Sequence, residues 1–152
     1  MHGGDEGASG DPSRGGSWSV FEHTADCGLE IRAPDLQALF ETAGRALCSL
    51  LADPVGIEPR EERRIDVAGC GREELLVRWL SEILYLHEAE GFLACGFRAE
   101  SIGEDRVIGV VAGEPYDPSR HTILAQIKAV TYHQIQVAQD SGAWRARVIL
   151  DV

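Results

Sequence analysis

Apolar and polar positions along this chain follow two periods, and the places where the period changes mark its elements. Leu29, Ile31 and Ala33 alternate with Glu30 and Arg32, the pattern of a half-buried strand, and Pro34 ends it. Asp35 then stands where a helix is capped. Leu36, Leu39, Phe40, Ala43, Ala46, Leu47, Leu50 and Leu51 recur at helical spacing as far as Asp53-Pro54, which predicts a helix with one face in the core. Ile65 and Val67 alternate with Arg64 and Asp66, a further strand. A second helix is predicted after Gly71, with Leu75, Leu76, Trp79, Leu80, Ile83 and Leu84 as its apolar stripe. Glu73 and Glu74 suit the positive end of its dipole, and Gly91 ends it.

From Gly91 onward the period is that of strands: Phe92 to Ser101, Arg106 to Ala112, Leu124 to Ala138 and Ala143 to Val152. The links between them are short, which favours antiparallel pairing. The expected class is α+β, an antiparallel sheet with two helices packed on its apolar face. A two-residue turn at Ser141-Gly142 sets a register for the last hairpin: Val137 opposite Ala146, Gln136 opposite Arg147, Ile135 opposite Val148 and Tyr132 opposite Asp151. A slip by one residue would turn Arg145 and Arg147 into the core. In this register Lys128 lies about 13 Å along the strand from Asp151, so contact between them needs a bulge or an intervening strand.

Residues 1–17 carry six glycines and almost nothing apolar, and cannot bury enough surface to offset their ordering entropy. They are expected to form a disordered leader before one domain over residues 18–152. With 25 acids against 14 bases the formal charge is −11, which argues against non-specific binding to nucleic-acid phosphate. Any RNA role should therefore run through a protein partner or a bound cation. Cys27, Cys48, Cys70 and Cys95 form no CxxC pair, so the spacing of a zinc knuckle or a thioredoxin-like motif is absent. No apolar run has membrane-spanning length, and free thiols in a reducing cytoplasm are the simplest expectation.

Three regions hold candidate chemistry. Glu22-His-Thr-Ala-Asp-Cys-Gly28 places His23 and Asp26 three apart at a strand end, although aspartates in turns are commonly local acceptors. Asp151 precedes the last residue, Val152, so a side chain, a peptide carbonyl and the terminal carboxylate fall within two residues. Such an oxygen-rich group suits Ca²⁺ or Mg²⁺ if Asp26 converges on it, and is a frayed tail if not. Glu114, Asp117 and His121 form a polar, proline-stiffened loop before the strand that carries Lys128, the only lysine among fourteen basic residues. No P-loop, dinucleotide fingerprint, nucleophile elbow or HExxH is present.

The runs FEHTADCGLEIRA, LQALFETAGRALCSLL, GEPYDPSRH, IKAVTYH and WRARVILDV, in this order over Val20 to Val152, resemble the archease family. Cys27 stands where an aliphatic residue is expected, and Val152 where isoleucine is commoner. The resemblance implies an accessory protein of tRNA splicing, without catalytic turnover of its own, that activates an RtcB-type RNA ligase by promoting its guanylylation and multiple turnover. It implies a divalent metal, calcium foremost, held by Asp26, Asp151 and Val152. It places Lys128 among residues linked to ligase activation, with His23, Tyr132, His133, Glu114, Asp117 and His121 as further candidates. The expected partner is the ligase, with tRNA reached only through it and no membrane involved. Two alternatives stay open: a metal-dependent phosphohydrolase built on the same carboxylates, and a structural adaptor whose Asp26 and Asp151 fix the C-terminus.

Overall fold

The computed structural model describes residues 15–23 and 26–152, the side chains of Glu22 and His23 excepted. The elements run β1 (Ser17–His23), β2 (Asp26–Ala33), α1 (Leu36–Leu51), β3 (Glu61–Ala68), α2 (Arg72–Glu90), β4 (Phe92–Ile102), β5 (Arg106–Pro115), β6 (Ala129–Val130), β7 (Gln136–Asp140) and β8 (Ala143–Asp151). The α+β class and the antiparallel pairing agree with the sequence pattern. The strands, however, divide into two sheets: β1-β2-β8-β6, with β7 also on β8, and β3-β5-β4. Of the segment expected to be a leader, residues 1–14 lie outside the described residues, and Ser17 already pairs with Arg32.

Both helices start and stop where the sequence sets them. Asp35 accepts the Ala38 N–H at 2.8 Å as the cap of α1. Gly91 ends α2 at φ +65°, a conformation that costs a side chain energy but glycine little. Leu39, Phe40, Leu47, Leu75, Leu76, Trp79 and Leu80 are all fully buried. The Trp79 indole N–H donates to the Phe40 carbonyl at 3.0 Å, so the largest buried side chain leaves no polar atom unmet and ties α2 to α1.

α1 also closes an edge. β4 has β5 on one side only, and on the other the Gln37 side chain donates to the Ala99 carbonyl at 3.2 Å while Glu41 accepts the Ala99 N–H at 2.9 Å. Side chains of a helix thus take the place of a further strand.

The last hairpin corrects the expected register in part. Gln136 faces Arg147 and Val137 faces Ala146, as the turn requires. Beyond them the strand leaves the ladder: Tyr132 does not face Asp151, nor does Ile135 continue the pairing onto Val148. Ala129 is the partner of Asp151 and Val130 of Leu150. A tight turn over residues 132–135 takes up three residues, with Gln134 at φ +54° and the Ile135 N–H on the Tyr132 carbonyl at 3.2 Å. Burial decides the register. Ile127 and Val130 are 1% and 7% exposed, and an uninterrupted hairpin would carry Val130 past the end of β8. Covering two such side chains is worth about 3–6 kcal/mol, more than a local turn with one left-handed residue costs.

Candidate functional site

At one end of the five-stranded sheet, four strands line up a single row across their ladders. His23 of β1 is the register partner of Asp26 in β2, Asp26 of Asp151 in β8, and Asp151 of Ala129 in β6. Direct partners in antiparallel strands present their side chains on the same face, so the carboxylates of Asp26 and Asp151 share a side of the sheet. Both residues are half-buried. The side chain of His23 lies outside the described residues.

The strand behind each carboxylate is held from two directions. On the outer face of β2, Phe21 lies flat across Gly28, leaving no room there for a Cβ. The Arg147 guanidinium covers the same ring at 4.3 Å and donates to Glu30 at 2.7 Å, so β1, β2 and β8 are clamped two rows from Asp26. On the inner face Leu29, Val148 and Leu150 are fully buried. Just before β6, the Lys128 N–H donates to the Asp151 carbonyl at 2.7 Å. Thr131 seizes the Ile149 carbonyl twice, through its N–H at 3.0 Å and its hydroxyl at 2.9 Å, and the same hydroxyl accepts the His133 N–H at 3.2 Å. The sequence pattern does not single out Thr131; a Thr-Tyr-His-Gln run between Val130 and Ile135 is its only trace.

The donor set is oxygen throughout: the carboxylates of Asp26 and Asp151 on one face, with the main-chain carbonyls of the adjoining residues. That chemistry fits a hard cation such as Ca²⁺, which accepts mixed carboxylate and carbonyl ligation with loose geometry. Among the described residues no three His, Cys, Asp or Glu side chains form a cluster able to hold a metal, so a third ligand from this chain would be a main-chain or terminal oxygen. Val152 is 46% exposed, which leaves the row open to solvent.

The other candidates divide. Lys128 is exposed beside Asp151 through its backbone. Tyr132, also exposed, lies near Arg78 of α2, and His133 sits exposed in the turn. Glu114, Asp117 and His121 belong to the three-stranded sheet and the loop after it. Glu114 is 2% exposed and accepts from Arg120 at 2.7 and 3.1 Å, from the Glu58 N–H at 2.8 Å and from His121 Nε2 at 2.9 Å; Arg60 lies at 3.3 Å. These donors, Arg120 first, hold its carboxyl at about 2 against the opposing effect of burial. His121 Nδ1 accepts the Asp117 N–H at 2.9 Å, which puts the ring proton on Nε2, facing Glu114. Asp117 accepts from the Ser119 N–H and hydroxyl, at 3.0 and 2.8 Å. With every partner internal, this group closes the loop over residues 113–121 onto the loop that precedes β3.

The sequence profile of the Archease protein family matches residues 18–152. Protein archease of Methanopyrus kandleri is 38% identical over 138 residues, spanning 89% of this chain and 99% of its own length. The solution structure of Methanobacterium thermoautotrophicum protein 1598 is 32% identical and superposes with a TM-score of 0.77 over 91% of this chain and 99% of its own. The crystal structure of an archease from Thermotoga maritima, described as a possible chaperone, shares the fold at a TM-score of 0.55 and 21% identity, over 87% of this chain and 94% of its own. Full-length coverage at this level of identity leaves one assignment: the chain belongs to the archease family.

Proposed function

We propose that this chain is an accessory protein of tRNA splicing that activates an RtcB-type RNA ligase, with a calcium ion held by Asp26, Asp151 and the Val152 terminus. The observation that carries the reading is the pairing of Asp26 with Asp151 across β2 and β8, with the Lys128 backbone bonded to Asp151. When bound, the cation supplies positive charge between two carboxylates that otherwise repel. The chain's own part is to hold those carboxylates on one face, fix the carboxyl end between β2 and β6, and present the Lys128 ammonium beside them. An acidic chain of charge −11 is suited to docking at the rim of a basic RNA-binding cleft, reaching tRNA only through the ligase. The description of the Thermotoga protein as a possible chaperone is in keeping with a helper rather than an enzyme. No helix among the described residues is long and apolar enough to cross a membrane; the cytoplasm is the compartment we propose for this activity.

The test is single-turnover guanylylation of the cognate ligase, measured with the wild-type chain and with Asp26→Ala, Asp151→Ala and Lys128→Ala. Loss of stimulation in the two aspartate variants, with a weaker loss for Lys128, is the expected pattern. Full stimulation by all three variants would overturn the proposal.

A further inference from the structure

The face of α1 that lies along β4 brings two cysteines together. The contacts run in opposite directions along the two elements: Gln37 and Glu41 bond Ala99, and Gly44 lies so close to Phe97 that a Cβ there would stand 2.6 Å from the ring. One helical turn beyond Gly44, about 6 Å along α1, comes Cys48. Two residues back from Phe97, about 6.6 Å along β4, comes Cys95. The two thiols accordingly line the same cavity of about 130 Å³, walled mainly by apolar side chains, Trp18, Ile57 and Phe97 among them, with Arg45 and Ser49 as its polar members. Cys95 faces this way because of a bulge. Ala94 pairs with Gly113 and Gly96 with Ala112, so Cys95 is the extra residue, and a bulge re-aims the side chain it inserts. Neither cysteine is in a disulfide here.

We infer that Cys48 and Cys95 form an oxidisable dithiol site, on which hydrogen peroxide builds an intramolecular disulfide that clips α1 to the bulge of β4. The Cys95 thiol gives up its proton and the thiolate attacks one peroxide oxygen; the O–O bond breaks, and the departing hydroxide takes up that proton, leaving a sulfenic acid and water. The Cys48 sulfur then attacks the Cys95 sulfur, the S–O bond breaks, and the displaced hydroxide leaves as water with the Cys48 proton. Two thiols and one peroxide thus give one disulfide and two waters. Burial pushes the Cys48 thiol up to about 12 and, joined by Glu114 and Glu58, raises that of Cys95. Thiolate is therefore scarce and the reaction slow, whereas the neutral disulfide suits an apolar cavity. The product is a lasting clip rather than a rapid sensor.

The full chain is treated, folded and without denaturant, with hydrogen peroxide, then alkylated and mapped by mass spectrometry without reduction. The expected result is a species lighter by two hydrogens, with the Cys48 peptide linked to the Cys95 peptide, reversed by dithiothreitol. The clip closes a long loop through which β3 and α2 run, so Tm rises by on the order of 10 °C. Cys48→Ser and Cys95→Ser each remove the linked peptide, while Cys70→Ser, which deletes the exposed thiol, leaves it. Oxygen addition at Cys70 with no linked peptide, or linkage that appears only after unfolding, overturns the inference. The wild-type map decides the matter even if a serine variant fails to fold.

Discussion

Asp26 and Asp151, close to opposite ends of the chain, are direct cross-strand partners between β2 and β8. Like charges in that relation destabilise the ladder by roughly 0.2–1 kcal/mol when nothing bridges them. A cation between them reverses the sign. Asp26→Asn is therefore expected to lower Tm relative to wild type in calcium and to lose most of the calcium dependence of the melt. At a calcium concentration 100 times the dissociation constant, wild type gains about 2.7 kcal/mol, or roughly 5–10 °C in a chain of this length. Thermal melts of both proteins with and without calcium check this, and parallel melts under the two conditions would count against a metal at this row.

Thr131 sets where Lys128 meets Asp151. Thr131→Val keeps the shape but removes the hydroxyl that bonds the Ile149 carbonyl and the His133 N–H. The Thr131 N–H still reaches Ile149, so the expected loss of stability is small, about 1 kcal/mol. The larger effect falls on the site, because β6 is only two residues long and the turn after it holds its register. Calcium affinity measured by calorimetry should fall several-fold while the far-ultraviolet spectrum stays unchanged. An unaltered affinity would show that Ile127 and Val130 suffice to place the strand.

Which parts of this arrangement were legible in the sequence follows from which forces set them. The helices were readable because Asp35, Gly91 and the apolar stripes act within a few residues of one another. The register of Gln136 on Arg147 was readable because a two-residue turn and alternation agree. Tyr132 was misplaced because its segment looks like a continuous strand, and only the distant core that buries Ile127 and Val130 breaks it. The split into two sheets was hidden for the same reason: local alternation marks a strand but not its neighbours. β1 passed unnoticed because its outward residues, Ser19 and Phe21 among them, gain their role only against Gly28 and Glu30 of the next strand.

Gly28 is the residue of the HTADCG run with a steric reason to be there. The Phe21 ring lies over its Cα, and Arg147 packs on that ring, so Gly28→Ala must push both away from β2. The expected cost is about 1–3 kcal/mol. Because the obstacle is one ring, Phe21→Leu in the same chain should recover part of the loss, which Gly28→Ala and Phe21→Leu alone would not suggest. A double-mutant cycle on chemical denaturation measures the coupling, and strictly additive effects would show that the strain lies elsewhere.

Glu114 gives the fold a dependence on acid. Its carboxyl titrates at about 2 in the folded chain against an ordinary 4.5, held down first by Arg120 and then by the Glu58 N–H and His121. A depressed folded value means that the unfolded chain binds the proton more readily. The contribution is therefore complete above pH 4.5 and is lost as pH falls toward 2. Glu114→Gln removes this titration while leaving Asp66, Glu74 and Asp117, whose carboxyls are also held low, in both proteins. At neutral pH the variant should be clearly less stable, because Arg120 and Arg60 lose a charged partner in a buried position. The gap between the two proteins should then narrow as pH falls through that window, since protonation takes from wild type what the substitution has already removed. Denaturant unfolding at a series of pH values reads the difference directly, and a gap that stays constant down to pH 2 would mean that Glu114 is not held ionised by these donors.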